Sequence, residues 1–232
     1  MTGGRPCDAV LFDFDGVLVD TETTLLTSWQ EVFRALGVPF GRTEYLRAGF
    51  HSPPLPLEDR VAAALAERAG EGRAVTDLIR STNLRMASLL DTRPGVRELI
   101  ADARRHGVPT GVVSSSGRDW VGRHLARLDL ASEFDVVVCR EDVRERKPAP
   151  EPYAAAVARL GVDPGRALAV EDAPLGVRAA KAAGLRCVAV PGPVTASLDF
   201  AEADAVVTTV EGMSLAALVA LTGPAASAPT GR

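Results

Sequence analysis

Two carboxylates separated by one residue, Asp13 and Asp15, follow an apolar run at residues 9–12. The run has the composition of a strand that is buried on both faces of a parallel sheet. If the extended conformation continues to residue 15, both carboxylates leave the same side of the backbone, because successive side chains alternate. Two acids at one spot repel each other unless a proton or a hard cation such as Mg²⁺ lies between them. The pattern therefore predicts a site at the end of this strand where a cation or a proton is shared.

Gly16 follows at the point where the backbone must turn out of the sheet or come close to a ligand. Taken alone, an Asp-x-Asp-Gly string is also typical of an ordinary loop or of a calcium-binding fragment. A calcium loop of the EF-hand type needs a Glu at its twelfth position and a helix in front. Residues 13–24 end in Thr24 and follow a strand. The preceding apolar strand therefore favours a catalytic site.

Polar residues also end three later apolar runs. The first run ends in residues 114–117, Ser-Ser-Ser-Gly. The hydroxyls and backbone N–H groups of this segment suit a phosphate. A helix N-cap or a plain loop has the same composition, so a purely structural role is the alternative. The second leads to Lys147, an ordinary surface residue if considered alone, but stiffened here by three prolines within the next five residues. The third ends in Glu171 and Asp172, of which only one is expected to bind a metal directly, because adjacent strand residues face opposite ways.

Helix patterns fill the chain between the first strand and residue 90. An amphipathic helix ends at Gly37, a loop rich in helix breakers follows and includes residues 52–56, and further helical runs begin near Leu57 and Val75. No strand pattern interrupts this region. We therefore predict a small helical module inserted after the first strand.

Beyond Arg93 helix and strand patterns alternate, which is the signature of an α/β fold with a parallel sheet wrapped by helices. The predicted strands are residues 110–114, 134–139, 168–171, 187–190 and 205–207. The predicted helices are residues 96–105, 120–128, 152–160, 175–183 and 215–221. Because ligands bind outside the carboxyl ends of such strands, we expect the four polar strand ends to meet. Together they supply the groups needed for phosphoryl transfer through Mg²⁺.

Composition excludes several other classes of protein. The 232 residues suit one α/β domain with an insertion, and a formal charge of −4 without a basic stripe argues against nucleic-acid or membrane-surface partners. The absence of a long apolar stretch and of an apolar N-terminal signal predicts a cytoplasmic location. Cys7, Cys139 and Cys187 lie far apart without metal-type spacing, so we expect small buried hydrophobes.

Four motifs together resemble the haloacid dehalogenase superfamily, in its phosphatase and beta-phosphoglucomutase-like branch. They lie at residues 13–20, at the strand end at Ser114, at residues 147–152 and at residues 170–184. The resemblance implies a Rossmann-like core with an inserted helical cap. The implied boundaries are residues 1–19 and 92–222 for the core and 20–91 for the cap. The composition of residues 223–232, which are rich in Gly, Pro, Ala, Ser and Thr, predicts a disordered tail.

The resemblance also implies roles for the strand-end residues. Asp13 would be the nucleophile that becomes an aspartyl phosphate, and Asp15 the acid that protonates the leaving oxygen and then the base for water. The residues implied to surround the phosphoryl group are Gly16, Ser114, Ser115 and Lys147. The ligands implied for Mg²⁺ are Asp13, the backbone carbonyl of Asp15 and Asp172, with Glu171 in the outer shell.

This chain departs at two places from the beta-phosphoglucomutase pattern, which favours hydrolysis over isomerisation. Beta-phosphoglucomutases carry a His five residues beyond the position of Asp20, where this chain has Leu25, and their Gly-x-Ser-Arg cap segment is replaced at residues 49–52. The resemblance therefore favours hydrolysis of a small phosphomonoester such as a sugar phosphate, and a phosphomutase and a non-catalytic binding module are the alternatives. Substrate choice is expected to reside in the cap, where Arg47 and His51 are candidates, although either could have only a surface role. The expected partner is a small phosphorylated metabolite, and the expected state a monomer or weak dimer.

Overall fold

The computed structural model of the chain describes residues 5–49, 57, 61 and 90–223. Leu57 and Val61 are both helical, as predicted for the second helical run of the insertion. The third predicted helical run, the loop at residues 52–56 and His51 lie outside the described residues. So does the tail from residue 224 onward.

Six parallel strands form one sheet in the order β3-β2-β1-β4-β5-β6. The strands are β1 Ala9–Phe12, β2 Thr110–Val113, β3 Val136–Val138, β4 Ala167–Glu171, β5 Arg186–Ala189 and β6 Ala205–Val206. The central strand β1 pairs with β2 on one side and β4 on the other, so that Val10 lies beside Thr110 and Leu168. The predicted parallel sheet is confirmed, and the strand ends agree within two residues.

Helices cover both faces of the sheet, because the side chains of a buried strand alternate between two apolar layers. The helices are α1 Thr21–Ala35, α2 Arg42–Gly49, α3 Val96–Arg105, α4 Arg118–Arg127, α5 Glu151–Leu160, α6 Pro174–Ala182 and α7 Leu215–Ala220. Val10 and Phe12 share one apolar layer with α3, α4 and α7. Ala9 and Leu11 share the other with α5 and α6. Burial of each large apolar side chain contributes about 1.5–3 kcal/mol to this packing.

The first two helices belong to the insertion and have a small apolar core of their own. Phe33 of α1 packs with Tyr45 and Ala48 of α2, and Val194 from the loop after β5 completes the cluster. Arg42 of α2 also contacts this loop, because its Nε donates a hydrogen bond to the carbonyl of Val194 at 2.8 Å. The cap therefore contacts the loop that follows β5.

The helix α2 corrects the prediction of a continuous loop between Gly37 and residue 56. The apolar residues within α2 are only Tyr45, Leu46 and Ala48, so its periodicity is weak in the sequence. Tyr45 and Ala48 are nevertheless buried against α1. Packing of this kind supplies most of the stability of a short helix, which its own sequence pattern does not reveal.

The three cysteines are free and buried, as predicted. Across the described ranges, no helix combines the length and the apolar character that crossing a membrane requires.

Candidate active site at the carboxyl edge of the sheet

Four charged side chains meet where β1, β3 and β4 end. This sheet-edge cluster consists of Asp13, Lys147, Glu171 and Asp172. The Nζ atom of Lys147 lies 2.6 Å from Asp13 Oδ1 and 2.7 Å from Glu171 Oε1, and it also donates to the carbonyl of Val113 at 2.7 Å. Only 6% of the Lys147 side chain is exposed. The expectation that these strand ends converge is therefore met in the geometry.

Glu171 is held on several sides. The hydroxyl of Tyr153 on α5 donates to Glu171 Oε1 at 2.6 Å, the same oxygen that accepts from Lys147. The start of α6 passes so close that a Cβ atom built on Gly176 would lie 2.1 Å from the Glu171 carboxylate. Gly176 is thus required by space, because only a hydrogen atom fits between the helix and this carboxylate.

Asp172 lies beside Asp13 and Glu171, and one oxygen from each of the three carboxylates lies within 4.8 Å of the others. The Oδ2 atom of Asp172 is buried and accepts no hydrogen bond from the described residues. A Cβ atom at Gly16 would lie 2.1 Å from that oxygen, and Gly16 has a φ of +84°. Such an orphaned buried oxygen beside two further carboxylates suits a divalent cation with oxygen ligands.

Burial dominates the electrostatics of this cluster. It raises the pKa of the Asp13 carboxyl well above its ordinary value, although the Lys147 ammonium opposes the shift. Burial also raises the pKa of Asp172. For Lys147 burial favours the neutral amine, but the adjacent carboxylates outweigh it and raise the pKa. The cluster thus combines three carboxyl groups with one ammonium, and a bound cation would favour the ionised forms of the carboxyl groups.

The strand does not continue to Asp15, so this side chain does not leave the backbone on the side predicted from an extended chain. The strand β1 ends at Phe12, and the chain turns at Phe14, whose carbonyl accepts from the N–H of Leu18 at 3.0 Å. Asp15 therefore has partners of its own. Its Oδ2 accepts from Ser116 Oγ at 2.6 Å, and its Oδ1 accepts from the indole Nε1 of Trp120 at 3.1 Å.

The serine loop after β2 lies against Asp15. Ser114 Oγ is 3.4 Å from Asp15 Oδ2 and accepts from the N–H of Ser116 at 3.0 Å. Ser115 is exposed and has no side-chain hydrogen bond to any described residue. Sequence reasoning included Ser116 only as part of the hydroxyl cluster and missed Trp120. An aromatic residue near the start of a helix resembles an ordinary core residue, so no sequence signal distinguished it.

A fifth carboxyl group, on the cap, is close enough to act on Asp172 and was also missed. Glu22 on α1 accepts a hydrogen bond from the hydroxyl of Tyr45 on α2 at 2.8 Å; we call these two residues the cap pair. Burial raises the pKa of the Glu22 carboxyl to about 7. Glu22 in turn is among the charges that raise the pKa of Asp172, which places the cap pair beside the sheet-edge cluster.

Arg93, at the point where the chain returns from the cap, links two loops of the site. Its guanidinium donates to the carbonyls of Gly16 and Val190, the latter at 2.8 Å. From the sequence, Arg93 was identified only as the point beyond which helix and strand patterns alternate. Of the two cap candidates, Arg47 is exposed on α2 and His51 lies outside the described residues.

Comparison with known proteins agrees with this fold and site. The family model described as "Haloacid dehalogenase-like hydrolase" matches residues 10–190. YhcW of Bacillus subtilis, which its name describes only provisionally as a phosphatase, is 37% identical over 91% of this chain and 96% of its own length. Hexitol phosphatase B of Escherichia coli is 32% identical over 83% of this chain and 87% of its own.

A solved structure also resembles this one. CbbY from Rhodobacter sphaeroides, in complex with phosphate, has a TM-score of 0.68 and 33% identity, with 91% of this chain and 99% of that chain covered. The chain belongs to the haloacid dehalogenase-like hydrolase family. The recognition made from the four motifs is confirmed, and so is the α/β fold with a Rossmann-like sheet.

Proposed function

We propose that this chain is a Mg²⁺-dependent phosphatase that hydrolyses a phosphorylated sugar or sugar alcohol through an aspartyl phosphate on Asp13. The prediction of a phosphoric monoester hydrolase is confirmed by the family model and by relatives named as phosphatases. The substrate class is supported by the relative named as a hexitol phosphatase. The observation that carries the mechanism is the buried Lys147 ammonium 2.6 Å from the Asp13 carboxylate at the sheet edge.

Asp13 is the proposed nucleophile. An anionic carboxylate that approaches a phosphate dianion meets a repulsion of roughly 4 kcal/mol at about 4 Å and an effective dielectric of 20. Lys147 offsets this repulsion, because its buried charge lies in direct contact with the attacking group. A bond forms between an Asp13 oxygen and phosphorus while the bond from phosphorus to the ester oxygen breaks.

Asp15 is the proposed proton donor and acceptor. In the first step it transfers a proton to the leaving alcohol oxygen. In the second step it takes a proton from the water that attacks phosphorus, which releases inorganic phosphate and regenerates the Asp13 carboxylate. Ser114, whose hydroxyl lies 3.4 Å from Asp15 Oδ2, is the proposed donor to a phosphoryl oxygen, whereas the Ser116 hydroxyl donates to Asp15 Oδ2 at 2.6 Å.

Asp13, the backbone carbonyl of Asp15 and Asp172 are the residues that would hold Mg²⁺. When bound, Mg²⁺ supplies positive charge that stabilises the oxygens of the transferring phosphoryl group. The orphaned Asp172 Oδ2 supports this assignment. Glu171 already accepts from Lys147 and Tyr153, which supports an outer position in which it orients the ammonium.

The test is phosphate release by the purified chain. With Mg²⁺ the protein should release inorganic phosphate from p-nitrophenyl phosphate and from a panel of sugar and hexitol phosphates. Asp13→Asn should lower kcat on the order of 10⁴-fold or more, the scale seen when a covalent nucleophile is lost. Full activity in this variant would overturn the mechanism.

The same panel separates the two alternatives. A phosphomutase would convert a sugar 1-phosphate to its isomer without releasing stoichiometric phosphate. A non-catalytic binding module would bind phosphorylated ligands without turning any of them over.

A further inference from the structure

Trp120 donates a hydrogen bond to the carboxyl group that the proposed mechanism uses for proton transfer. Its Nε1 lies 3.1 Å from Asp15 Oδ1, while the other oxygen, Oδ2, lies 2.6 Å from Ser116 Oγ. An indole N–H is only a donor, whereas a serine hydroxyl donates or accepts. The two oxygens of Asp15 therefore stand in chemically different surroundings.

We propose that Trp120 is a positioning residue that fixes the orientation of the Asp15 carboxyl group for proton transfer, an inference that rests on the proposed phosphatase function. The indole N–H holds Oδ1, while the hydroxyls of Ser114 and Ser116 donate to Oδ2 from the loop after β2. Without the indole N–H, the carboxyl group is held at Oδ2 alone and can rotate away from the leaving oxygen.

The packing of the indole ring keeps this donor in place. Trp120 lies against His124 with a distance of 4.1 Å between the ring centroids. His124 is buried, its Nδ1 donates to the carbonyl of Trp120 at 2.8 Å, and its ring lies 6.0 Å from that of Phe14. Phe14 is the residue between the two aspartates of the motif. The direction of the N–H is therefore determined by side chains that are themselves fixed, which is what precise positioning requires.

The type of leaving group tests this role. A sugar-alcohol oxygen must be protonated as it leaves, whereas p-nitrophenolate is a stable anion that needs little help. The measured quantity is kcat/KM, since it reports the step in which the leaving group departs. Trp120→Phe, which removes the N–H but keeps an aromatic ring beside His124, should lower the ratio of kcat/KM for hexitol 6-phosphate to that for p-nitrophenyl phosphate by about 10-fold.

Trp29→Phe is the matched control, because Trp29 is the only other tryptophan in the sequence and packs against Phe33 in the cap. This variant should leave the ratio unchanged. An unchanged ratio in Trp120→Phe, whether both kcat/KM values fall equally or neither falls, would overturn the inference. Absence of hydrolysis by the unmodified protein would instead overturn the proposed function, and this inference with it.

Fluorescence provides a readout that does not depend on activity. In the Trp29→Phe protein, Trp120 is the sole tryptophan. Adding Asp15→Ala removes the acceptor of its N–H, so the emission maximum or intensity should change. Identical emission with and without the Asp15 carboxylate would contradict the hydrogen bond on which the inference depends.

Discussion

The carboxylates on the two sides of the site are held in different ways. In the sheet-edge cluster, Asp13 and Glu171 share a buried ammonium through contacts of 2.6 and 2.7 Å. In the cap pair, Glu22 is bound by the neutral hydroxyl of Tyr45, and no cation pairs with it within the described part of the chain. In the first arrangement an ammonium opposes the effect of burial on the carboxyl pKa, whereas in the second only a neutral hydroxyl opposes it.

This difference follows from where each group lies in the fold. Neighbouring parallel strands bring their carboxyl ends to one edge, so the backbone pairing of β1 and β4 brings the three carboxyl groups of the sheet-edge cluster together. The cap pair lies on two helices, of which α2 contacts the loop after β5 through the Arg42 side chain. We therefore expect the sheet edge to determine the chemistry and the cap to determine which substrate is accepted.

The largest effect is expected from breaking the ion pairs of the sheet-edge cluster. Lys147→Met removes the only described cation in contact with Asp13 and Glu171, and should cost about 3–5 kcal/mol in the free energy of unfolding. Turnover should fall about 10³-fold as well. Urea unfolding without metal and the phosphate assay with Mg²⁺ measure the two effects.

Lys181→Met is the control for that prediction. Lys181 pairs with Asp204 at 2.6 Å, but this pair lies at the surface. Its loss should cost less than about 1 kcal/mol. Equal costs for the two substitutions would show that the buried ammonium has no special role in holding the cluster.

A smaller effect is expected from crowding Glu171. The new Cβ in Gly176→Ala would lie 2.1 Å from the Glu171 carboxylate and displace it from Lys147. We expect a loss of about 2 kcal/mol in unfolding free energy, with reduced turnover. Gly122→Ala on α4 is matched, because its Cβ meets no atom within 4 Å, and it should stabilise the protein by about 0.5–1 kcal/mol. Stabilisation by both substitutions would disprove the close packing of α6 on Glu171.

An effect of similar size concerns the cap pair, but it appears only at high pH. The folded protein keeps the Glu22 proton up to a pKa of about 7, whereas the unfolded chain releases it near 4.5. Stability from this group is therefore full below pH 4.5 and is lost as the pH rises through 7. Glu22→Gln stays neutral and keeps an acceptor for Tyr45. It should match the unmodified protein at pH 5 and exceed its stability by about 2 kcal/mol at pH 8.

The control for the cap pair is Glu145→Gln, on an exposed loop. Its effect on urea unfolding in metal-free buffer should be the same at pH 5 and pH 8. A pH-independent effect of Glu22→Gln would mean that the cap carboxylate is ionised in the folded protein.

The sheet and the residues at its edge were readable from the sequence because each depends on local patterns. Apolar runs that end in Asp13, Ser114 or Asp172 give both the strand and the position of its polar end. Lys147 was identifiable because prolines follow it directly. Parallel pairing then brings such ends together without further information.

Trp120, Tyr45 and Glu22 were not identifiable in this way. Each lies on a helix where its spacing is compatible with an ordinary core or surface residue, and each acquires its role through a contact with a distant part of the chain. The turn at Phe14, which separates Asp15 from Asp13, likewise depends on backbone hydrogen bonds to Leu18 and Val19.

The amino-acid sequence by itself determined the α/β class, the family and the acids at the strand ends, since these follow from periodicity and from short motifs. Only the tertiary structure decided which group each carboxylate contacts. Hydrogen bonds and burial depend on distances of a few ångströms between residues far apart in the chain, and no local pattern encodes those distances.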